Sequence, residues 1–116
     1  LSAYCGAVSA ATGSAAAICW LMGGSREEID DTITNTVGTI GGMVCDGAKA
    51  SCAAKIAAAV DTSLMAMQMS QRGNVFQPGE GLVKGNVEET IKSIGRMGRE
   101  GMRSTDVEIL NIMLDK

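Results

Sequence analysis

Between Ala48 and Gln71 the chain contains neither glycine nor proline, and its only charged residues there are Lys49, Lys55 and Asp61. Such a stretch forms a helix that is apolar on nearly every side, and a helix of that kind needs protein around it. Arg72 in the last turn and Gly73 after it supply a stop. Ala53, Ala54, Ala57, Ala58 and Ala59 offer a smooth surface for close neighbours, while Met65, Met67 and Met69 fall on both sides of the far end and read as packing residues. With a single Trp, Tyr and Phe in 116 residues, the core has to come from close backbone approach. The expected architecture is all-α: a compact bundle of about four to five helices around this central Ala-rich helix, in one domain over residues 1–116.

The other helices are marked by their ends. Thr12-Gly13-Ser14 precedes Ala15 to Met22, with Thr12 or Ser14 as the cap and Gly23-Gly24 as the stop. A helix N-terminus there, with free N–H groups and small residues, also suits a substrate carboxylate, making Thr12, Gly13 and Ser14 candidate substrate-binding residues. Ser25-Arg26-Glu27-Glu28 is a capping box, and Glu27, Glu28, Asp30 and Asp31 carry the sign that a helix start favours, so they read as a solvated helix start rather than a hard-metal site. Gly73 to Gly85 is a loop holding the only proline. Asn86 caps a helix through Arg99 in which Glu88 and Lys92 have favourable spacing, and Gly95 and Gly98 imply close packing on a neighbour. Ser104 or Thr105 then caps a last helix with an apolar face from Val107 to Leu114.

Charge narrows the partners. The net charge is −3 and no two basic residues are adjacent, so there is no footprint for nucleic acid. Residues 1–24 lack charge, but their Ser, Thr and Gly content and the breaks at Gly6 and Gly13 favour burial against protein over a membrane span. The first residue is Leu1 and no basic n-region precedes the apolar start, so the expectation is a piece of a longer chain without a signal peptide. The four cysteines are then expected to be free or metal-bound in a reducing, cytoplasmic setting.

Gly41-Gly42-Met43-Val44-Cys45-Asp46-Gly47 puts one thiol in flexible backbone, and Cys52 follows at the start of the long helix. Cys5, also followed by glycine, is the natural third ligand. The chain has no histidine, which removes every His-containing zinc pattern and any Cys/His pair within it. Separations of 40 and 7 do not match the short paired spacings of structural zinc sites. Cys19 lies late in the Ala-rich first helix and reads as a buried apolar residue. Spacing alone leaves an iron–sulfur site, a zinc-stabilised interaction module and a purely structural domain with buried cysteines all open; in the last, Ala/Gly faces mediate contacts between copies.

Cys5-Gly6, Thr12-Gly13-Ser14-Ala15-Ala16, Gly42 to Lys49, Ser51-Cys52 and the segment from Gly95 to Met113 together resemble the C-terminal part of the L-cysteine desulfidase branch of the serine dehydratase alpha-chain family. The resemblance covers essentially the whole chain, and the N-terminal half of the family is missing from it. It implies a helical fold and a 4Fe-4S cluster held by Cys5, Cys45 and Cys52, with Cys19 outside that set. It also implies a lyase that converts L-cysteine to pyruvate, ammonia and sulfide, or L-serine to pyruvate and ammonia. Three thiolates on four irons leave one iron open to the substrate, acting as a Lewis acid. No general base is evident; the missing N-terminal part is the implied source of a catalytic residue and of part of the pocket. Lys49 is read as a charge offsetting the cluster, and Asp46 as a turn residue.

Overall fold

The computed structural model describes residues 3–116; Leu1 and Ser2, where the apolar start begins, lie outside the described residues. Five α-helices follow one another: α1 Gly6–Leu21, α2 Arg26–Ile40, α3 Cys52–Gln71, α4 Val87–Arg96 and α5 Arg103–Met113, with a π-helical segment Met97–Gly101 between the last two. The expected helical class and helix number are found, and no strand is present among the described residues. None of these helices is long and apolar enough to cross a membrane.

The order of packing differs from the sequence reading in one respect. α2 packs on α1, α3 and α4, whereas the Ala-rich α3 touches only α1 and α2. The molecule measures 49 × 30 × 18 Å. A slab 18 Å thick is less than two helix diameters, so it cannot surround a helix. α3 therefore buries Ala59, Ser63, Ala66, Met67 and Ser70 on one face and leaves Ile56, Val60, Leu64 and Met65 exposed on the other. The central helix is α2, the Thr-rich one.

A polar helix can take that place because its hydroxyls are satisfied internally. Thr32, Thr34 and Thr36, all buried, donate to the carbonyls of Glu28, Asp30 and Thr32, one turn back. Asn35, fully buried, makes the long-range bonds: its Nδ2 donates to Ala66 O at 3.3 Å and Asn74 O at 3.0 Å, and its Oδ1 accepts from Phe76 N. Thr32 and Ser70 share a 2.7 Å hydroxyl contact. These contacts run α2 antiparallel to α3. Ser63 donates to Ala11 O at 2.9 Å, and Val8, Ala11, Ile40 and Ala59 form one apolar cluster, which sets α1 parallel to α3. The start of α1, the end of α2 and the start of α3 thus meet at one end of the layer.

Several ends fall where the sequence places them. Ser25 accepts from Glu28 N and caps α2, and Asn86 accepts from Glu89 N and caps α4. Others do not. α1 begins at Gly6, behind Cys5 as cap residue, and passes through Gly13 unbroken. Thr12 and Ser14 are interior residues bonded to the carbonyls of Val8 and Ala10 rather than caps, because a glycine with open space around it is tolerated inside a supported helix. α5 starts at Arg103 without a side-chain cap at Ser104 or Thr105, since the chain reaches it already coiled through the π-segment. Lys92 pairs with Glu89 at 2.9 Å, not with Glu88. α5 buries none of its residues, so Val107 and Leu110 face outward. Phe76 reaches α2 over Gly38, where an added Cβ would stand 2.6 Å from its ring.

Two predictions follow from the buried polar face. Asn35→Leu removes the partners of Asn74 O and Phe76 N and is expected to cost about 2–4 kcal/mol of stability in denaturant unfolding; an unchanged midpoint would show that these bonds are dispensable. Asp31, half-buried, has its carboxyl held above the ordinary value of 3.8, first by desolvation and then by Glu27, Asp30 and Glu28. A raised carboxylate penalises the fold when ionised, and the penalty fades as pH falls through the folded value toward 3.8. Asp31→Asn is accordingly expected to raise the melting temperature slightly at neutral pH and to have no effect below pH 3.8; a gain that persists in acid would contradict the assignment.

Candidate functional site

The loop after α2 carries the second cysteine back to the start of α1. Met43 N donates to Ile40 O, and the chain then pairs for one residue, Tyr4 with Val44, as an isolated antiparallel bridge. Cys5 N donates to Met43 O at 3.0 Å, and Cys45 N donates to Ala3 O. Cys5 is in extended backbone, φ −66° and ψ 132°. Side chains alternate across extended backbone, so Cys5 and Cys45 lie on the face opposite Tyr4 and Val44. They occupy diagonal positions whose Cα atoms stand about 7–8 Å apart in such pairs.

The third thiol comes from α3. Cys52 is its first residue, and its Sγ contacts Gly47 O at 3.5 Å. Gly47 has φ +93°, a conformation that suits glycine, and it turns the loop from Cys45 toward the helix. All four cysteines are free: Cys5 and Cys52 are half-buried, Cys45 is exposed, and Cys19 is buried beside Gly24. Because α1 is unbroken, Cys19 stands about 21 Å along the helix from Cys5. Among the described residues no three His, Cys, Asp or Glu side chains are close enough to share one metal ion.

Two lysines close the loop onto Asp46. Lys55 donates from Nζ to Val44 O at 2.9 Å and to Asp46 Oδ1 at 2.6 Å. Lys49 donates to the same carboxylate oxygen and to the carbonyls of Asp46 and Gly47. These hydrogen bonds, Lys49's first and Lys55's second, pull the Asp46 carboxyl down to about 2. The bond to Asp46 chiefly raises Lys55 above the ordinary lysine value, and the nearby thiols of Cys5 and Cys52 act in the same direction. Asp46 is thus more than the turn residue that the sequence suggests. Lys55 was not singled out from sequence, yet the signal exists: it lies three residues after Cys52, on the same helix face.

Of the candidate substrate residues, Thr12 lines a cavity of about 420 Å³ together with Cys5, Gly6, Ser9, Ile91 and Gly95. Gly13 and Ser14 do not line it, and the Ser14 hydroxyl donates to Ala10 O. A neighbouring cavity of about 660 Å³ has Arg99 and Arg103 at its edge, but both pair with Glu100.

Fold and site together define an all-α arrangement with a cysteine-bearing loop at the end of its three-helix layer. Over residues 1–111 the sequence matches the family described as serine dehydratase alpha chain, and the chain belongs to that family. It is 51% identical over 115 residues to a UPF0597 protein of Lachnoclostridium phytofermentans, covering 99% of this chain and 28% of that protein. It is 51% identical over 114 residues to one from Treponema denticola, covering 98% and 26%, and 49% identical over 116 residues to one from Desulfitobacterium hafniense, covering 100% and 27%. The chain therefore spans about a quarter of the length of these curated relatives. No solved structure matches it.

The loop's dependence on its glycine is testable. Gly47→Ala forces alanine to a positive φ and brings a Cβ within 2.8 Å of Met113 Cε, a flexible side-chain end that can move. The backbone term remains, so a loss of about 1–2 kcal/mol is expected in thermal or denaturant unfolding. Gly42→Ala, in the same loop with nothing within 4 Å, is the control and is expected to be nearly neutral.

Proposed function

We propose that this chain is the cluster-holding part of an amino-acid lyase that eliminates sulfide from L-cysteine, or water from L-serine, to give pyruvate and ammonia. Family membership supports the dehydratase relation. The observation that carries the finer reading is the junction at one end of the helix layer: three free thiols from the start of α1, the loop after α2 and the start of α3, with no histidine and with a lysine ammonium beside them. In a 4Fe-4S cluster the ligand thiolates bind different irons, so they need to surround a volume rather than meet at one point. The donor set fits that demand better than it fits a single ion.

In this reading Cys5, Cys45 and Cys52 hold the cluster, which supplies a Lewis-acidic iron for the substrate. The chain's own groups bind and orient. Thr12 and Gly6, the first residue of α1, line the space beside Cys5, at a helix start of the kind that favours a carboxylate. Lys49 and Lys55 offset negative charge at the loop. The general base and the rest of the pocket come from the remainder of the longer polypeptide, which is also the nearest partner in this reading.

The test is anaerobic reconstitution of the full-length protein followed by iron and sulfide analysis. One four-iron cluster per chain is expected, lost in Cys5→Ser, Cys45→Ser or Cys52→Ser and kept in Cys19→Ser. Absence of iron uptake by the full-length wild type sinks the reading. A second reading, a non-catalytic helical interaction domain, draws on the exposed apolar face of α3. It predicts stable self-association in light scattering and no iron.

A further inference from the structure

We propose that Lys55 is a positioning residue for the cysteine site: a latch from α3 that holds the Val44–Asp46 backbone in its ligating shape and keeps a positive charge on the two residues that flank Cys45. The proposal rests on the cluster reading for its second half only. Its first half stands on geometry. The loop from Gly42 to Ser51 is joined at its two ends by backbone bonds, from Met43 N to Ile40 O, at the bridge Tyr4–Val44, and from Cys52, Ala53 and Ala54 N to Lys49, Ala50 and Ser51 O, and across its middle by the contact of Cys52 Sγ with Gly47 O and by Lys55. Of these, Lys55 alone binds both a backbone carbonyl and a side chain of the loop, Val44 O and Asp46 Oδ1, the two residues flanking Cys45.

Lys49 does not do the same work. It is three residues from Asp46 and its side-chain bonds all return to its own segment, to Asp46 and Gly47, so its ammonium stiffens the turn without tying it to a helix. The Lys55 side chain is also the better covered, 25% exposed against 42% for Lys49. Positive charge near an iron–sulfur cluster favours its reduced form, so its removal makes reduction harder.

Lys55→Gln, Lys55→Arg and Lys49→Gln in the full-length protein separate the two roles. Without metal, amide exchange followed by mass spectrometry reports the loop; after anaerobic loading, a redox titration reports the charge. Lys55→Gln is expected to speed exchange at Val44 to Asp46 severalfold and to shift the reduction potential negative. Lys55→Arg should recover most of both, and Lys49→Gln should produce the smaller change. Far-ultraviolet circular dichroism checks that α3 remains folded. Wild-type exchange rates in Lys55→Gln, or equal effects from Lys49→Gln, overturn the latch. An unchanged potential overturns the electrostatic half. If the wild type takes up no iron, the cluster reading fails by itself while the exchange data still decide the latch.

Discussion

The fold depends on a buried amide. Asn35 sits in the middle of α2 and spends its side chain on three backbone groups, two of them in the segment that leaves α3. An apolar residue there fills the space but cannot choose a register, because a layer of Ala, Val and Ser accepts several offsets at similar energy. Asn35 leaves one offset in which Asn74 O and Phe76 N are both paired, and burial makes the alternatives costly. Fixing α2 against α3 in this way aligns the three helix ends.

That alignment explains why three cysteines so far apart in sequence share a neighbourhood. Position 5 precedes α1, 45 follows α2 and 52 opens α3. With α1 and α3 parallel and α2 antiparallel, those three points lie at the same end. The bridge at Tyr4–Val44 then sets the faces of Cys5 and Cys45, and Gly47 turns the chain so that the third arrives from a helix rather than from the loop. Each device is local and inexpensive.

Part of this was legible in the sequence. Helical class, the caps at Ser25 and Asn86, the stop at Gly73 and the burial of Cys19 follow from side-chain chemistry acting within a few residues. The start of α1 did not, because Thr12-Gly13-Ser14 has cap chemistry, and only the tertiary support of Ala11 and Ala15 keeps the helix running through it. The exchange of roles between α2 and α3 was also hidden. Hydropathy ranks the Ala-rich helix as the inner one, yet threonines that donate to carbonyls one turn back carry little polarity into the core. At the site, the cysteines were visible as residue types. The Lys55 contact was not, since it joins positions 11 and 9 residues apart across a turn whose shape the sequence does not specify.

The thinness of the layer leaves two adjoining surfaces open. An 18 Å slab exposes both the outer face of α3 and the loop that bears Cys45. The same apolar face begins beside Cys52 and runs the length of α3 through Ile56, Val60 and Leu64. Because that face and the Cys45 loop meet at the start of α3, a surface that covers the first also shields the second, and burial of the apolar side chains is coupled to enclosure of the thiols.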